Sequence, residues 1–406
     1  MLIYLKKLLQ YLKQSYFNVI SFFVKKNPEL WVFGAVRGEK YMDNAKYLFE
    51  YVNKNTDIQA VWLSKNPDVI THIRKQAYKA FAMHSKKGRY YAMHAKVAVI
   101  THRGVNDNAD LPFYCFSKET KIIQLWHGIP LKKIGFDDTY HSKAQEMDSI
   151  LFRAKQTIKN RLFPYTNYIN DPSLVLALSE ETRNLFSQAF RVNKEKVIIT
   201  GYPRNDQLFN SPIEGRAQAA KKQKIIYMPT YRNQQGSCFD LFMQYRFQPE
   251  KFEKFLSQNN AQLYIKLHPF NRPSEKTLQQ IEAFQSIHFI EKDDIYESLS
   301  DYDILITDFS SIYFDFLLTD KPIIFAPFDK ESYLKKDREF YFNYDDVTPG
   351  LQAHNWTEII EFIEQSLSDT DHFKLEREQI RNKYHSYIDN QSTERVYKAI
   401  SHLLTN

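Results

Sequence analysis

Several short segments place polar side chains and turn residues directly after apolar, strand-like runs. They read "WHGIPLK", "GYPRND", "MPTYR" and "LHPF", and they supply His127, Arg204, Thr230 and His268. A neutral histidine can accept a proton at physiological pH, and cationic or hydroxyl groups can hold phosphate charge. Ligands of open α/β sheets bind beyond the carboxyl ends of the strands, so the four side chains are predicted to converge if two sheets face each other. Taken singly, each is more typical of an ordinary turn or loop residue, and the indication of a site comes from the four together.

The stretch "DILITDFSSIYFDFLL" indicates an anion site. Its buried strand, residues 304–307, runs into a helix predicted to begin near Ser311, which places Ser310 and Ser311 at a helix N-terminus. Unpaired backbone N–H groups and the helix dipole favour a phosphate there. Asp315 lies one turn further along the same face and could accept hydrogen bonds from a ribose or polyol. The alternative is that Asp308 or Ser310 simply caps the helix.

The elements that must position these residues alternate between short strands and helices. This alternation predicts parallel sheets, first from about residue 29 to residue 203 and again from residue 225 onwards. Apolar periodicity is lost in "QLFNSPIEGRAQAAKKQ" between the two runs. We therefore predict two α/β domains, residues 27–211 and 212–406, with a cleft between them. The last helices, from about Trp356, could include one that crosses back to the first domain.

Residues 1–26 predict a separate amphipathic helix. One face carries the apolar stripe Leu2, Leu5, Leu9, Leu12, Tyr16, Val19 and Phe23, and lysines lie elsewhere. The longest uncharged run, residues 14–24, is shorter than the roughly 18–20 residues that span a bilayer. The segment either lies in an anionic membrane surface or packs on its own domain.

Composition narrows the class of protein. The chain has 406 residues, 43% of them hydrophobic, and a net charge of +7, which favours anionic partners. Basic residues are spread along the chain, so nucleic-acid binding is not indicated. The two cysteines match no metal spacing and indicate a reducing cytoplasm, and no metal or cofactor is predicted. The dinucleotide and P-loop glycine motifs are absent.

The ordered motifs "LWHGIPLKKIG", "GYPRND", "MPTYR", "IKLHP", "DIYESLSDYDILITDFSSIYFDF" and "KPIIFAPFDKESY" resemble the CDP-glycerol glycerophosphotransferase family, which includes teichoic acid primases and polymerases. The resemblance covers residues 125–350. It implies a GT-B fold, two Rossmann-like domains with the active site between them. It also implies transfer of glycerol phosphate from CDP-glycerol to a hydroxyl of a lipid-linked saccharide or growing polymer, with release of CMP, at the cytoplasmic face of the membrane.

The resemblance also implies roles for individual residues. His127 and His268 match the two central histidines of the family site, with His127 as the base that acts on the acceptor. The positions that match donor contacts are Gly128, Pro130, Arg204, Pro229, Thr230, Lys266, Ser310, Ser311 and Asp315. Related proteins transfer ribitol phosphate or build phosphate-containing capsules. The first alternative is therefore a CDP-ribitol enzyme. Two further alternatives are a GT-B glycosyltransferase that uses a sugar nucleotide and, from a different class, a peripheral membrane scaffold whose sites have decayed.

Overall fold

The computed structural model forms two compact units. The first comprises Met1–His127, Ile134–Asp206 and Asp389–Asn406, and the second comprises Gly128–Lys133 and Gln207–Ile388. The described residues are 2–102, 108–138, 154, 157–158, 161, 171–209, 222–232, 242, 245–267, 273, 275–336, 339–368 and 371–405, without the side chains of 2–8 and 335–336.

The first unit is built on a parallel sheet, which among the described residues has seven strands in the order β3-β2-β1-β4-β5-β6-β7. Its strands are β1 Asn27–Phe33, β2 Gln59–Ser64, β3 Lys79–Ala82, β4 Ala95–Ile100, β5 Lys121–Gln124, β6 Leu174–Ala177 and β7 Val197–Ile199. Its helices are α1 Leu2–Ser21, α2 Asp43–Asn55, α3 Pro67–Lys75, α4 Lys86–His94 and α5 Glu180–Phe190. The strand order reverses between β1 and β4, and such a reversal opens a crevice at the carboxyl ends.

Helix α1 docks on the first unit through one face. Asn18 Nδ2 and Ser21 Oγ donate to the carbonyl oxygen of Phe116, at 2.9 and 3.0 Å, and both side chains are buried. The ring of Phe17 packs against Tyr114 at 6.1 Å between centroids. Within the described part of the chain, no helix combines the length and the apolar character needed to cross a membrane.

The apolar stripe predicted for α1 lies on the opposite face of this helix. Leu9, Leu12, Tyr16 and Val19 are between 55% and 64% exposed, and Phe23 beyond the helix is 85% exposed. The sequence left open whether this helix packs on its own domain or lies in a membrane surface. In the structure, polar and aromatic residues pack one face against the first unit, and the apolar stripe on the other face is exposed to solvent.

The second unit contains another parallel sheet, in the order β10-β9-β8-β11-β12-β13. Its strands are β8 Gln223–Met228, β9 Ala261–Ile265, β10 Ile287–Phe289, β11 Ile304–Thr307, β12 Ile323–Phe325 and β13 Leu351–Gln352. Its helices are α6 Pro249–Gln258, α7 Glu275–Glu282, α8 Tyr296–Leu299, α9 Ile312–Phe316, α10 Lys330–Lys336, α11 Trp356–Leu367 and α12 Lys374–Tyr384. Trp356 anchors its core, with its ring stacked on Phe242 at 5.4 Å.

The compact units divide the chain differently from the predicted limits of 27–211 and 212–406 in four places. The first unit also holds α1 and the final helix, α13 Ser392–Thr405, while residues 128–133 and 207–211 group with the second unit. The carboxylate of Asp206 accepts hydrogen bonds from the backbone N–H groups of Ser392 and Thr393, at 2.9 and 2.8 Å. These bonds satisfy two backbone N–H groups at the start of α13 and tie the start of this last helix to the first unit.

Candidate active site

Polar side chains of the first unit gather where β4 and β5 end. These strands are neighbours in the sheet, with Ile100 paired to Gln124. Thr101 and His102 follow β4 directly, and His127 lies in the turn after β5. Because both strands run in the same direction, these residues emerge at the same carboxyl-terminal edge.

The turn after β5 is held in an uncommon conformation. Trp126 has φ of 58° and Gly128 has φ of 149°, both positive. The backbone N–H of Trp126 donates to Gln124 Oε1 at 3.1 Å, and Asn44 Nδ2 donates to the carbonyl of Trp126 at 2.9 Å. Positive φ at a tryptophan costs free energy and persists only where its surroundings enforce it. The glycine beside His127 therefore has a backbone reason, since a side chain there would be strained.

His127 is held in one tautomer. Its Nδ1 atom lies 3.0 Å from the carbonyl oxygen of Thr101, which can only accept. Nδ1 therefore carries the proton, and Nε2 of the neutral ring presents a lone pair. Burial, followed by the neighbouring His102, lowers the pKa of His127 to about 3, so the ring is neutral at pH 7. In this tautomer Nε2 of the half-buried ring can accept a proton as a general base, and the lowered pKa makes it a weaker base than an exposed imidazole.

Two residues that the sequence interpretation missed surround this histidine. The ring of His102 stacks on that of His127, with centroids 4.2 Å apart and planes 8° apart. The buried Asp110 carboxylate accepts from the backbone N–H groups of Thr101 and His102, both at 2.8 Å. Asp110 thus fixes the peptide whose carbonyl orients His127. His102 could have been found from its place after the run "KVAVIT", whereas nothing local marks Asp110.

Arg204 lies in the same unit and is buried. Its Nη1 atom donates to Asp43 Oδ1 at 2.7 Å and to the carbonyl oxygen of His127 at 2.9 Å. Its backbone N–H donates to Asn44 Oδ1 at 3.2 Å. The structure therefore brings together His127 and Arg204, two predicted site residues far apart in sequence. Asp43 and Asn44, at the start of α2, were not predicted.

In the second unit, the predicted residues Pro229 and Thr230 follow β8. Asp308 follows the adjacent strand β11, and its Oδ1 atom accepts from the backbone N–H groups of Thr230, at 2.7 Å, and Phe309, at 2.6 Å. One buried carboxylate therefore links the loop after β8 to the turn that leads into α9.

Arg232, which lies in the motif "MPTYR" but was not assigned a role, is part of the same network. It donates to both carboxylate oxygens of Asp329 at 2.7 Å, to Asp308 Oδ2 at 2.6 Å and to the carbonyl of Thr230 at 2.7 Å. All three charged side chains are at most 6% exposed.

The predicted helix start after β11 is present, since α9 begins at Ile312 with Ser311 as its N-cap. Ser310 and Ser311 are half-buried, and Ser310 Oγ accepts from the N–H of Ile312 at 3.5 Å. Asp315 is fully buried, and its Oδ2 atom accepts from the hydroxyl of Tyr296 at 2.6 Å. The serines are therefore accessible to a ligand, whereas Asp315 is bonded inside its own unit.

Four more predicted site residues remain, namely Lys266, His268, Gly128 and Pro130. Lys266 follows β9 and is half-buried, but His268 lies outside the described residues. Gly128 and Pro130 precede a short antiparallel pairing in the second unit, in which Lys132 is bridged to Phe340.

Across the residues that the structure describes, no group of three or more histidine, cysteine or acidic side chains is placed to hold a metal ion.

Comparison with known proteins gives a consistent result. The family model described as CDP-Glycerol:Poly(glycerophosphate) glycerophosphotransferase matches residues 16–402. The chain is similar to the teichoic acid glycerol-phosphate transferase of Staphylococcus aureus (strain NCTC 8325 / PS 47), with 27% identity over 412 residues, 98% of each chain. It is also similar to the teichoic acid ribitol-phosphate polymerase TarK of that strain, with 27% identity over 70% of this chain and 52% of the relative.

Among solved structures, the wall teichoic acid polymerase TagF matches with a TM-score of 0.74 and 19% identity. The match covers all of this chain and 98% of the other. It confirms the predicted fold class, a GT-B protein with two α/β domains built on parallel sheets.

Proposed function

Because the chain belongs to the CDP-glycerol:poly(glycerophosphate) glycerophosphotransferase family, we propose that it transfers glycerol phosphate from CDP-glycerol to a hydroxyl group of an acceptor and releases CMP. The acceptor is a lipid-linked saccharide or a growing cell-surface polymer of the teichoic acid or capsule type. The family relationship and the similarity to a glycerol-phosphate transferase along 98% of each chain support this activity.

The single observation that carries the mechanism is the tautomer of His127. With Nδ1 committed to the Thr101 carbonyl, Nε2 is the atom that can take a proton. In the proposed reaction, Nε2 removes the proton from the acceptor hydroxyl as its oxygen attacks the β-phosphorus of CDP-glycerol. The bond from that phosphorus to the bridging oxygen of the pyrophosphate breaks, and CMP leaves with the electron pair.

The remaining predicted residues are proposed to bind the donor. Charge builds up on the pyrophosphate as CMP leaves, so cationic and N–H donors stabilise the transition state. We assign this task to Arg204, Lys266, His268 and the start of α9 at Ser310 and Ser311. Gly128, Pro130, Pro229, Thr230 and Asp315 complete the proposed set of donor contacts. No metal or cofactor is assigned a step.

Ribitol phosphate transfer from CDP-ribitol is the second candidate. The observation that favours it is the similarity to a ribitol-phosphate polymerase, over 70% of this chain. The two donors share cytidine and pyrophosphate and differ in the length of the polyol, so the same base and the same anion-binding groups serve both reactions.

We further propose that the protein acts as a peripheral protein at the cytoplasmic face of the membrane, held there by α1. Exposed apolar residues line one face of this helix, and the exposed lysines Lys13 and Lys25 lie within or close beyond it. A helix with this composition lies in the headgroup region of anionic lipids. Such a position would give the enzyme access to a lipid-linked acceptor.

A nucleotide-release assay tests the activity. The protein is incubated with a lipid-linked acceptor and, in turn, CDP-glycerol, CDP-ribitol, a UDP-sugar and a GDP-sugar. Acceptor-dependent CMP release with CDP-glycerol is the expected result. CMP release with CDP-ribitol alone would favour the second candidate, and nucleotide release only with a UDP- or GDP-sugar would show a glycosyltransferase and overturn both.

A further inference from the structure

We propose that Arg232 is a positioning residue for donor binding, because it holds the two loops to which donor contacts are assigned. This inference rests on the proposed function and adds to it a residue that touches no reacting atom. Its basis is a buried cluster of one arginine and two aspartates beneath Thr230 and the start of α9.

Thr230 is fixed on both sides by this cluster. Arg232 Nη1 donates to the carbonyl oxygen of Thr230 at 2.7 Å, while Asp308 Oδ1 accepts from its N–H group at 2.7 Å. Both backbone groups of one residue are therefore committed to charged partners, and hydrogen bonds of that kind are stronger than neutral ones. The backbone of Thr230 is thereby held in one position after β8.

The same contacts extend to the turn before α9. Asp308 Oδ1 accepts from the N–H of Phe309 at 2.6 Å, and Asp308 Oδ2 accepts from Arg232 Nη2 at 2.6 Å. The orientation of this carboxylate thus depends on the guanidinium. Since Ser310 and Ser311 come next in the chain, a rotation of Asp308 would displace both proposed donor contacts.

The charges of the cluster require an arginine. Arg232 faces two buried carboxylates, and neither can be left without a cation at low cost. Its guanidinium lies 4.7 Å from the centroid of the Tyr333 ring and 5.4 Å from that of Phe309, and these two rings stack on each other at 4.4 Å. A planar, forked cation can serve two carboxylates, a carbonyl and an aromatic face together, whereas an ammonium group cannot.

The test compares Arg232→Lys with Arg377→Lys in the full-length enzyme. Arg377 is an equally buried arginine of the second unit, paired with Asp371 and bonded to the carbonyl of Asp320, and it has no proposed donor role. The measurements are the thermal midpoint and the separate kcat and KM for CDP-glycerol in the CMP-release assay. Arg232→Lys is expected to raise KM about tenfold or more, with Arg377→Lys close to the wild type in KM.

A second variant, Asp329→Asn, tests the same proposal if Arg232→Lys does not fold. Asp329→Asn keeps Arg232 and its bond to Thr230 but removes one carboxylate, so it is expected to raise KM in the same direction by a smaller factor. An unchanged KM in whichever of Arg232→Lys and Asp329→Asn folds, or an equal rise in Arg377→Lys, overturns the positioning role. If the wild-type enzyme itself releases no CMP from CDP-glycerol, the proposed function is wrong, and the positioning role that rests on it is wrong as well.

Discussion

The Nδ1 atom of His127 lies 3.0 Å from the carbonyl oxygen of Thr101, the residue whose own N–H is bonded to Asp110. A buried carboxylate thus orients a peptide, and the peptide orients an imidazole. Burial raises the pKa of Asp110 to about 6, although three backbone N–H groups and the Thr101 hydroxyl oppose this shift. Burial of His127 keeps its ring neutral, and this chain of contacts holds the ring in one orientation.

His127→Ala should fold, bind CDP-glycerol and lose turnover by roughly 10²–10⁴-fold, the usual contribution of a general base. Calorimetric donor affinity measured beside CMP release checks this expectation. His268→Ala should differ in kind, because that residue is assigned to donor phosphate charge and should affect affinity as well as rate. His72→Ala, which removes an exposed histidine of α3, serves as the control. Near-normal turnover in His127→Ala would move the base to another residue.

The stability of the first unit should depend on pH through His127. Its pKa is lowered from 6.5 to about 3 in the folded protein, mainly by burial. Between pH 6.5 and pH 3 this histidine binds a proton in the unfolded chain but not in the folded protein. The free energy of unfolding therefore falls as the pH falls. His127→Gln should reduce this fall between pH 6.5 and 4, whereas His72→Gln should keep it. Chemical denaturation at several pH values measures both, and identical profiles for His127→Gln and wild type would contradict the assignment.

Ser311→Ala should weaken CDP-glycerol binding by about 1.5–3 kcal/mol if its hydroxyl bonds to a charged phosphate. Asp315→Ala is also expected to weaken binding, but its carboxylate accepts from Tyr296. Tyr296→Phe removes that internal bond and leaves Asp315 in place, so it separates support of the fold from donor contact. Affinity lost equally in Tyr296→Phe and Asp315→Ala would assign Asp315 to structure, and unchanged affinity in Ser311→Ala would place the phosphate elsewhere.

Replacing Leu9, Leu12, Tyr16 and Val19 together by serine should abolish sedimentation with anionic vesicles. These side chains face solvent, so the thermal midpoint should stay close to that of the wild type. The control replaces Leu375 and Ile388, exposed apolar residues of the second unit, and should leave vesicle binding intact. A large fall in the thermal midpoint of the quadruple variant would show that the stripe packs within the protein.

Much of this architecture is determined by local sequence. Short runs rich in β-branched residues, such as residues 304–307, predict strands. Their alternation with helices predicts a parallel sheet whose two faces are covered. The polar residues after those runs, His127 and Thr230 among them, are predictable as candidates since chain direction alone places them at the carboxyl ends. The apolar stripe of α1 also follows from the period of the helix, whereas its exposure to solvent is seen only in the structure.

Only the tertiary structure decided which partners these candidates have. Arg204 meets Asp43, and His127 meets Thr101, because the order of strands in the sheet brings distant segments to one edge. Arg232 joins Asp308 and Asp329 in the same way, across the ends of different strands. Hydrophobic periodicity acts over a few residues, whereas ion pairs and hydrogen bonds depend on distances across the sheet. The sequence therefore marks where chemistry can occur, and the packing of parallel strands selects the residues that orient it.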